Sequence, residues 1–318
     1  MNRFLLSVIG FGALFCGVMA GSCFVLPDHG VCNAMLGAQR TKLERLRTLP
    51  GHRIVFVGGS NVGHGFDSSV IEKSLGLPVV NMGLHAGLGL VYHMKSIQGL
   101  VRAGDLIVVM PEYEMFSGMC WGKEELVAVL MAVVPEHRRL LTMSHWMRLL
   151  PKVVSYACRK LMRPRTLYEP FKKNRNYNEW GDHMAWRSHA ERLPIPLPAK
   201  VVGEDSYTGE ELFPEINVFV SSCHENGAQV IFVPPVLELS SYVNERGLID
   251  RIVRELKQNG TPFVAAPEAL VFPDDLFFDT GYHMNRKGVP KRMAVLISVL
   301  QDRMKNCHDG VKGTADGK

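Results

Sequence analysis

The sequence predicts an α/β fold built on a parallel sheet of about five strands, and three observations support this prediction. Short apolar runs rich in β-branched residues recur along the chain, and they are typical of strands buried on both faces of a parallel sheet. Helical patterns separate most of these runs, as in βαβ units. Glycine-rich turns follow the first two runs. The predicted strands cover residues 53–57, 77–80, 106–110, 230–233 and 262–265.

Helices are predicted between these strands and after the last one, where apolar residues recur at helical spacing. The predicted helices cover residues 68–75, 90–102, 214–226, 243–258 and 289–300.

An insertion interrupts this alternation, because the third and fourth strands are separated by far more residues than a normal crossover needs. We predict the insertion over about residues 117–212, helical from 123 to 162 and looped from 163 to 202. One domain is then expected over residues 52–305, and the polar stretch 306–318 is expected to be disordered.

The N-terminal run over residues 4–27 carries no charged side chain, and at ~1.5 Å per residue it can cross a hydrocarbon core ~30 Å thick. It is longer than most signal-peptide cores, so we predict a signal anchor over residues 1–27, with a juxtamembrane helix and linker over 28–51. A cleaved signal peptide ending at Ala20 is the alternative. A lipoprotein at Cys23 is disfavoured, because Ala rather than Leu stands three positions before it.

The composition excludes several classes of protein. Apolar residues make up 47% of the chain and charged residues 21%, which excludes wholesale disorder. A single membrane-length run excludes a polytopic membrane protein. The net charge is +5 without a dense basic stripe, so no nucleic-acid partner is expected. The seven cysteines form no CxxC pair, so we expect neither a zinc site nor a disulfide framework, while one or two bridges remain open.

The first candidate for chemistry is Gly58-Gly59-Ser60-Asn61, directly after the first predicted strand. A serine at the carboxyl end of a parallel strand lies at the edge where open α/β sheets bind ligands. The two glycines allow a tight turn and the close approach of a substrate. Taken alone, this segment is equally typical of a glycine-rich turn with a helix-capping serine.

The second candidate is the pair Asp279 and His283 near the other end of the chain. A serine nucleophile needs a base and an acid that orients the base, and one tight turn can bring these two side chains together. Asn285 follows as a possible cap for the last helix. A loop with a surface histidine is the alternative.

The third candidate is the turn after the second strand, residues 81–89, which contains Gly83, His85 and Gly87. Its position on the same sheet edge would allow a backbone N–H to stabilise an oxyanion. A turn that simply requires positive φ is the alternative.

Together these segments resemble the SGNH (GDSL-type) hydrolase superfamily. Gly58-Gly59-Ser60 resembles its first block, Gly-Asp-Ser, with Gly in place of Asp, and residues 81–87 resemble its second block. Asp279 and His283 resemble its last block, although the usual spacing is one residue tighter. The resemblance covers residues 53–304 apart from the insertion, and it implies a flavodoxin-like three-layer α/β/α sandwich.

The resemblance also implies a mechanism. Ser60 attacks an ester carbonyl, His283 accepts its proton and returns it to the leaving alcohol, and Asp279 orients the imidazole. The N–H groups of Ser60 and of Gly87 or Gly83 stabilise the oxyanion. Water in an esterase, or a sugar hydroxyl in a transferase, then resolves the acyl-serine.

One block of the family pattern is absent. The third block, Gly-x-Asn-Asp, is replaced by Met-Pro-Glu-Tyr-Glu at residues 110–114, so the oxyanion-hole Asn is missing. Loss of one oxyanion donor costs on the order of a few kcal/mol. We expect the hydroxyl of Tyr113 to donate instead, and we assign Asn61, His85 and Glu112 to substrate binding.

These departures, together with the anchor, resemble the SGNH-like proteins that accompany membrane-bound O-acyltransferases in bacterial surface-glycan modification. The resemblance implies a periplasmic domain on a single span of the bacterial inner membrane, an acylated and typically acetylated glycan as substrate, and a membrane-bound O-acyltransferase as partner. The alternative is a non-catalytic SGNH-like module that binds the glycan or the acyltransferase.

The sequence lacks the motifs of several other catalytic, nucleotide-binding and metal-binding sites. Val62 replaces the last glycine of an α/β-hydrolase elbow, and neither a P-loop nor a G-x-G-x-x-G follows a strand. His64, His85 and His93 match no zinc spacing. We therefore expect no metal and no cofactor. Residues 178–189 are predicted to form a structured loop, with a lid or acceptor-sugar surface as the alternative.

Overall fold

The computed structural model describes residues 2–24, 31–118, 120–162, 176–194 and 207–312. Over these residues the helices are α1 (Asn2–Phe24), α2 (Val31–Thr48), α3 (Ser60–Gly63), α4 (Ser68–Leu75), α5 (Leu90–Gln98), α6 (Glu124–Val133), α7 (Met143–Met162), α8 (Gly209–Glu225), α9 (Leu239–Gln258) and α10 (Val289–Lys312). The strands are β1 (Ile54–Gly58), β2 (Val79–Asn81), β3 (Leu106–Met110), β4 (Gln229–Phe232), β5 (Leu237–Glu238) and β6 (Val271–Phe272).

A four-stranded parallel sheet in the order β2-β1-β3-β4 lies at the centre of the fold. Ile54 of β1 pairs with Val79 on one side and with Leu106 on the other. Every residue of β1, β2 and β3 is buried, as the apolar runs predict for a parallel sheet covered on both faces. The prediction of a mixed α/β fold with a parallel sheet is confirmed. Strands β5 and β6 form a separate parallel pair.

The predicted fifth strand, residues 262–265, is not a strand in the structure. It makes one parallel bridge, in which Phe263 lies beside Phe232 at the edge of β4. Pro262 has no N–H to donate, and Ala265 has a φ of 70°, so the backbone leaves the sheet after this bridge.

The two faces of the sheet carry separate apolar cores. Val55 and Val57 of β1 belong to one core, together with residues of α2, α5 and α8. Ile54 and Phe56 belong to the other core, together with residues of α4 and α10. This alternation follows the two-residue period of a strand, and it places helices on both faces of the sheet.

A buried ion pair joins the beginning of β1 to the beginning of β3. Arg53 donates from Nε to Oδ1 of Asp105 over 3.0 Å and from Nη2 to Oδ2 over 2.5 Å, and both side chains are fully buried. The guanidinium also donates to the carbonyls of Leu46 and Leu100. These bonds satisfy a charge that would otherwise be costly to bury.

Several helices differ in length from the predictions. Helix α4 has the predicted bounds, whereas α5 ends at Gln98 and α8 and α9 begin earlier, at Gly209 and Leu239. Helix α10 continues to Lys312, into the stretch that was expected to be disordered. Residues 313–318 lie outside the described residues.

The insertion begins with two helices, α6 and α7, which fall within the part predicted to be helical. Residues 176–194 are loops with a short 3₁₀ turn at Met184–Arg187, in the part predicted to be looped. The remaining predicted loop residues, 163–175 and 195–202, lie outside the described residues.

The N-terminal predictions coincide with helices. Helix α1 (Asn2–Phe24) lies within the predicted anchor, residues 1–27, and α2 (Val31–Thr48) lies within the predicted juxtamembrane segment, residues 28–51. Among the described residues, no helix meets both the length and the apolarity that crossing a membrane requires.

Asp105→Ala should lower the free energy of unfolding by about 3–5 kcal/mol, because it leaves the Arg53 guanidinium buried without its counter-ion. Urea denaturation of both proteins measures the difference. Asp250→Ala is the matched control, since Asp250 pairs with Arg246 at 3.9 Å on the exposed surface of α9. A similar small loss in both variants would contradict the prediction.

Candidate active site

Ser60 stands at the carboxyl edge of the sheet, immediately after β1, as the first residue of α3. The residue before it must be glycine because the backbone is tightly enclosed there. A Cβ built on Gly59 would lie 2.6 Å from Cε of Met115, 2.7 Å from Oε1 of Glu112 and 2.8 Å from Cα of Ala86. The chain therefore has no room for the Asp that the first SGNH block carries at this position.

Asp279 and His283 form the hydrogen-bonded pair that the sequence predicts. His283 Nδ1 lies 2.7 Å from Oδ1 of Asp279. The turn between them is closed by a bond of 2.9 Å from the Phe278 N–H to the His283 carbonyl. Burial raises the pKa of Asp279, but the hydrogen bond from His283 and its charge outweigh burial, so the net shift is downward.

Asn285 holds the end of this turn beside α10. Its Oδ1 accepts hydrogen bonds from the N–H groups of Lys287 and Gly288 over 2.9 and 3.1 Å. Its Nδ2 donates to the carbonyls of Asp275 and Phe277. Asn285 therefore fixes the histidine turn at the helix start, which is close to the capping role predicted for it.

Ser60 is bonded to Glu112 rather than to His283. The Ser60 hydroxyl donates to Oε1 of Glu112 over 3.2 Å. The Nε2 atom of His283 is buried and has no hydrogen-bond partner among the described residues. The structure thus brings together the predicted base and the predicted acid, whereas the Ser60 hydroxyl donates to a different acceptor.

A buried network holds Glu112 in this position. Its Oε1 also accepts the Asn61 N–H over 2.6 Å and the Asn61 Nδ2 over 3.3 Å. Asn61 in turn accepts from Arg292 of α10, at its carbonyl over 2.6 Å and at Oδ1 over 3.2 Å. Asn61, Glu112 and Arg292 are all buried. Asn61 therefore positions the serine turn, whereas the sequence suggested substrate binding.

Glu114 forms a carboxyl pair with Glu112. Burial, the charge of Glu112 and a hydrogen bond to Glu112 raise the pKa of Glu114 to about 7. The nearby charges of Lys123 and His283 act in the opposite direction. No sequence pattern predicted this raised pKa next to the serine turn.

The predicted oxyanion donors are already engaged in this structure. The Gly83 N–H donates to Oδ1 of Asn81 over 2.9 Å, and the Gly87 N–H donates to Nδ1 of His85 over 2.9 Å. The backbone N–H of Ser60, at the beginning of α3, is the remaining predicted donor.

Tyr113 does not take the place of the missing Asn. Its side chain is buried in the core on the α9 side of the fold. Burial, followed by the charges of Tyr242, Glu268 and Asp250, raises the pKa of the Tyr113 phenol far above its ordinary value. The phenol that was expected to donate to the oxyanion thus packs in the apolar core.

His85 is half-buried at the cleft, next to the catalytic candidates. Burial lowers the pKa of His85, while the charge of Glu112 raises it and those of Lys123 and His283 lower it further. Its Nδ1 accepts from the Gly87 N–H, so Nε2 is the ring nitrogen left for the predicted substrate contact. His93 bonds the His85 carbonyl through Nε2 over 3.1 Å and is buried.

His283 belongs to a stack of three imidazoles. His64 stacks on His283 with ring centroids 4.6 Å apart and on His183 with centroids 4.1 Å apart. Burial, reinforced by the neighbouring histidines, lowers the pKa of His64 to about 2, and burial with the charge of Lys42 lowers that of His183 to about 4. Both rings are therefore neutral at physiological pH. Over the described residues, no group of three potential ligands is arranged to hold a metal ion.

His183 belongs to the insertion, which a buried carboxylate attaches to the sheet edge. Asp182 accepts from the Ser68 N–H over 2.9 Å, the Ser68 hydroxyl over 2.6 Å and Nδ2 of Asn81 over 2.8 Å. Burial raises the pKa of Asp182. Lys42 of α2 donates to the carbonyls of Gly83 and Gly181. The segment predicted as a structured loop is thus one wall of the site.

The chain matches no protein-family model and no curated protein sequence.

Gly59→Ala should lower the free energy of unfolding by about 1–3 kcal/mol, because its Cβ would overlap backbone and side-chain atoms of three neighbours. Chemical denaturation measures the loss. Gly99→Ala is the matched control, because a Cβ there meets nothing within 4 Å and its φ is −77°. Its effect should stay within about 0.5 kcal/mol. Equal effects would show that the Gly59 site can relax.

Glu114 should make stability depend on pH. The pKa of Glu114 in the folded protein, about 7, lies above its ordinary value of 4.5. Its contribution to the free energy of unfolding is therefore complete below pH 4.5 and is lost as pH rises through 7. Relative to Glu114→Gln, wild type should lose roughly 3 kcal/mol between these limits. Unfolding at pH 4, 6 and 8 measures it, with Glu210→Gln on exposed α8 as control. A difference that stays constant with pH would contradict the raised pKa.

Proposed function

We propose that this protein is a serine esterase or O-acyltransferase that acts on acyl esters, with acetylated surface glycan as the substrate class. The observation that carries this proposal is the Asp279–His283 pair, 2.7 Å apart, whose outer nitrogen Nε2 is buried and unpaired. A base in that state is ready to accept a proton, and Ser60 supplies one at the same sheet edge.

The serine must change acceptor before it reacts. In the resting arrangement its hydroxyl donates to Glu112. In the proposed reaction this hydroxyl exchanges the Glu112 carboxylate for Nε2 of His283, which has no hydrogen-bond partner among the described residues. Glu112 keeps its bonds from Asn61 during this step, so the buried carboxylate stays satisfied.

The reaction then has two halves. In the first, Ser60 Oγ bonds to the ester carbonyl carbon, its proton passes to His283, and His283 returns the proton to the leaving alcohol. In the second, water or a sugar hydroxyl attacks the acyl-serine, gives its proton to His283, and releases Ser60, which regains that proton. Asp279 stabilises the imidazolium in both halves.

The fold is consistent with this proposal. The sheet order β2-β1-β3-β4, with the bridge from Phe263 at the β4 edge, matches the first four strands and the position of the fifth in the flavodoxin-like order 2-1-3-4-5. Helices on both faces give three layers. Ligands bind such sheets at the carboxyl ends of the strands, where Ser60 lies.

The proposed location is the periplasmic side of a bacterial inner membrane, with a membrane-bound O-acyltransferase as partner. The apolar side chains of α1 support attachment to a membrane, because Phe4, Leu6 and Phe11 are each more than 60% exposed, at 76%, 67% and 71%. The resemblance to the SGNH-like proteins supports the periplasmic location and the acyltransferase partner.

A fluorophosphonate probe tests the nucleophile. It should label the intact wild-type protein at Ser60, because the probe reacts with activated serines. Ser60→Ala should abolish labelling, and Ser188→Ala, which alters an exposed serine in the insertion, should not. Peptide mass spectrometry identifies the labelled residue. Absence of labelling in wild type, or labelling that persists in Ser60→Ala, would overturn the proposal.

A non-catalytic SGNH-like binding module is the second candidate, and two observations favour it. Ser60 is bonded to Glu112, and the N–H groups of Gly83 and Gly87 are occupied. Such a module would bind acylated glycan or the acyltransferase through the same cleft. It would bind an ester ligand without forming an acyl-serine, and mass spectrometry of the intact protein after incubation with p-nitrophenyl acetate distinguishes the two.

A further inference from the structure

Helix α7 carries basic residues but no acidic residue. Its sequence includes Arg148, Lys152, Arg159 and Lys160 and contains neither Asp nor Glu. Lys152 pairs with Glu125 of α6 over 2.5 Å. The helix thus carries four basic side chains of Arg and Lys, and Glu125 pairs with one of them.

One face of α7 is packed against the protein. Leu149, Tyr156 and Ala157 are buried there, beside α6 and α1. The other face bears an apolar stripe: Met143 is 76% exposed, Met147 70% and Leu150 61%.

This stripe follows the helical repeat. Positions 143, 147 and 150 are spaced by four and three residues, and Leu161 continues the same side of the helix at 40% exposure. Single exposed apolar residues are ordinary, but a stripe along one helix marks an interaction surface.

Helix α1 packs against α7. The Ser22 hydroxyl donates to the Ala157 carbonyl over 3.3 Å, and Sγ of Cys158 lies 4.0 Å from Sδ of Met19. Large apolar side chains are exposed along α1 as well. They are Phe4, Leu5, Leu6, Val8, Ile9, Phe11, Leu14, Phe15 and Val18. Helices α1 and α7 thus both expose apolar side chains, and α7 adds positive charge.

We propose that the outer face of α7 lies on an anionic lipid surface. Its Met and Leu side chains enter the boundary between headgroups and acyl chains, and Arg148 and Arg159 contact the anionic headgroups. An amphipathic helix that is basic on its polar side binds membranes in this way. A second copy of the chain fits less well, because it would place one cationic helix against another. This assignment does not depend on the chemistry of Ser60.

Photo-crosslinking in vesicles tests the contact. The full chain, with p-benzoylphenylalanine in place of Leu150, is reconstituted into vesicles of phosphatidylcholine alone or with phosphatidylglycerol. The matched control carries the same probe in place of Val243, which is 63% exposed on α9, a helix with both acidic and basic residues. Thermal unfolding verifies that both variants fold. Mass spectrometry then identifies lipid or protein adducts.

Lipid adducts should form at position 150 and not at position 243. Their yield should rise about fivefold or more when phosphatidylglycerol is present, and Arg148→Glu with Arg159→Glu should remove that rise. Equal yields at both positions would overturn the proposal, and so would a yield that does not depend on anionic lipid. Adducts between two copies of the chain at position 150 would show that a second copy covers this face instead.

Discussion

Glu112 is only 1% exposed, and its buried carboxylate constrains the part of the site that contains Ser60. A buried carboxylate must be fully hydrogen-bonded, and its partners come from Ser60 and Asn61. Asn61 is in turn held by Arg292. Burial lowers the pKa of Arg292 to about 9, and the charges of Glu112 and Asp182 oppose that shift. The serine turn, β3 and α10 are thus fixed by one compensated set of charges.

The site has a histidine half, around His283, and a serine half, around Ser60. This network holds the serine half. The histidine half is complete, because Asp279 and Asn285 fix His283 and its turn and His64 stacks on its ring. The serine half is held by Glu112. In the proposed reaction Glu112 and His283 compete for the Ser60 hydroxyl, which Glu112 accepts in this structure. Glu112 and Glu114 lie where the resemblance to the SGNH superfamily would place its third block, Gly-x-Asn-Asp.

The sequence predicted those parts of the molecule that depend on local patterns. Buried strands are apolar throughout, so four of the five were located, and the glycine before Ser60 and the spacing of Asp279 and His283 indicated the site. No local sequence pattern shows in which direction a side chain points after a strand ends. Tyr113 was therefore expected at the oxyanion but packs in the core, and Asn61 was expected at the substrate but binds Arg292. His183 lies far along the chain in an irregular segment, so no local sequence pattern predicted that its ring stacks on that of His64.

The insertion connects the proposed lipid surface to the site. Helix α7 packs on α6, and Lys123, the residue that precedes α6, donates its N–H to the Gly87 carbonyl over 2.7 Å. Leu126 of α6 lies so close to Gly87 that a Cβ there would be 2.8 Å from it. A shift of this helix pair on a membrane would therefore move the turn that holds Gly87 and His85. In the proposed reaction the Gly87 N–H would leave His85 before it bound an oxyanion. The proposed lipid surface and the proposed oxyanion donor are thus connected through the same turn.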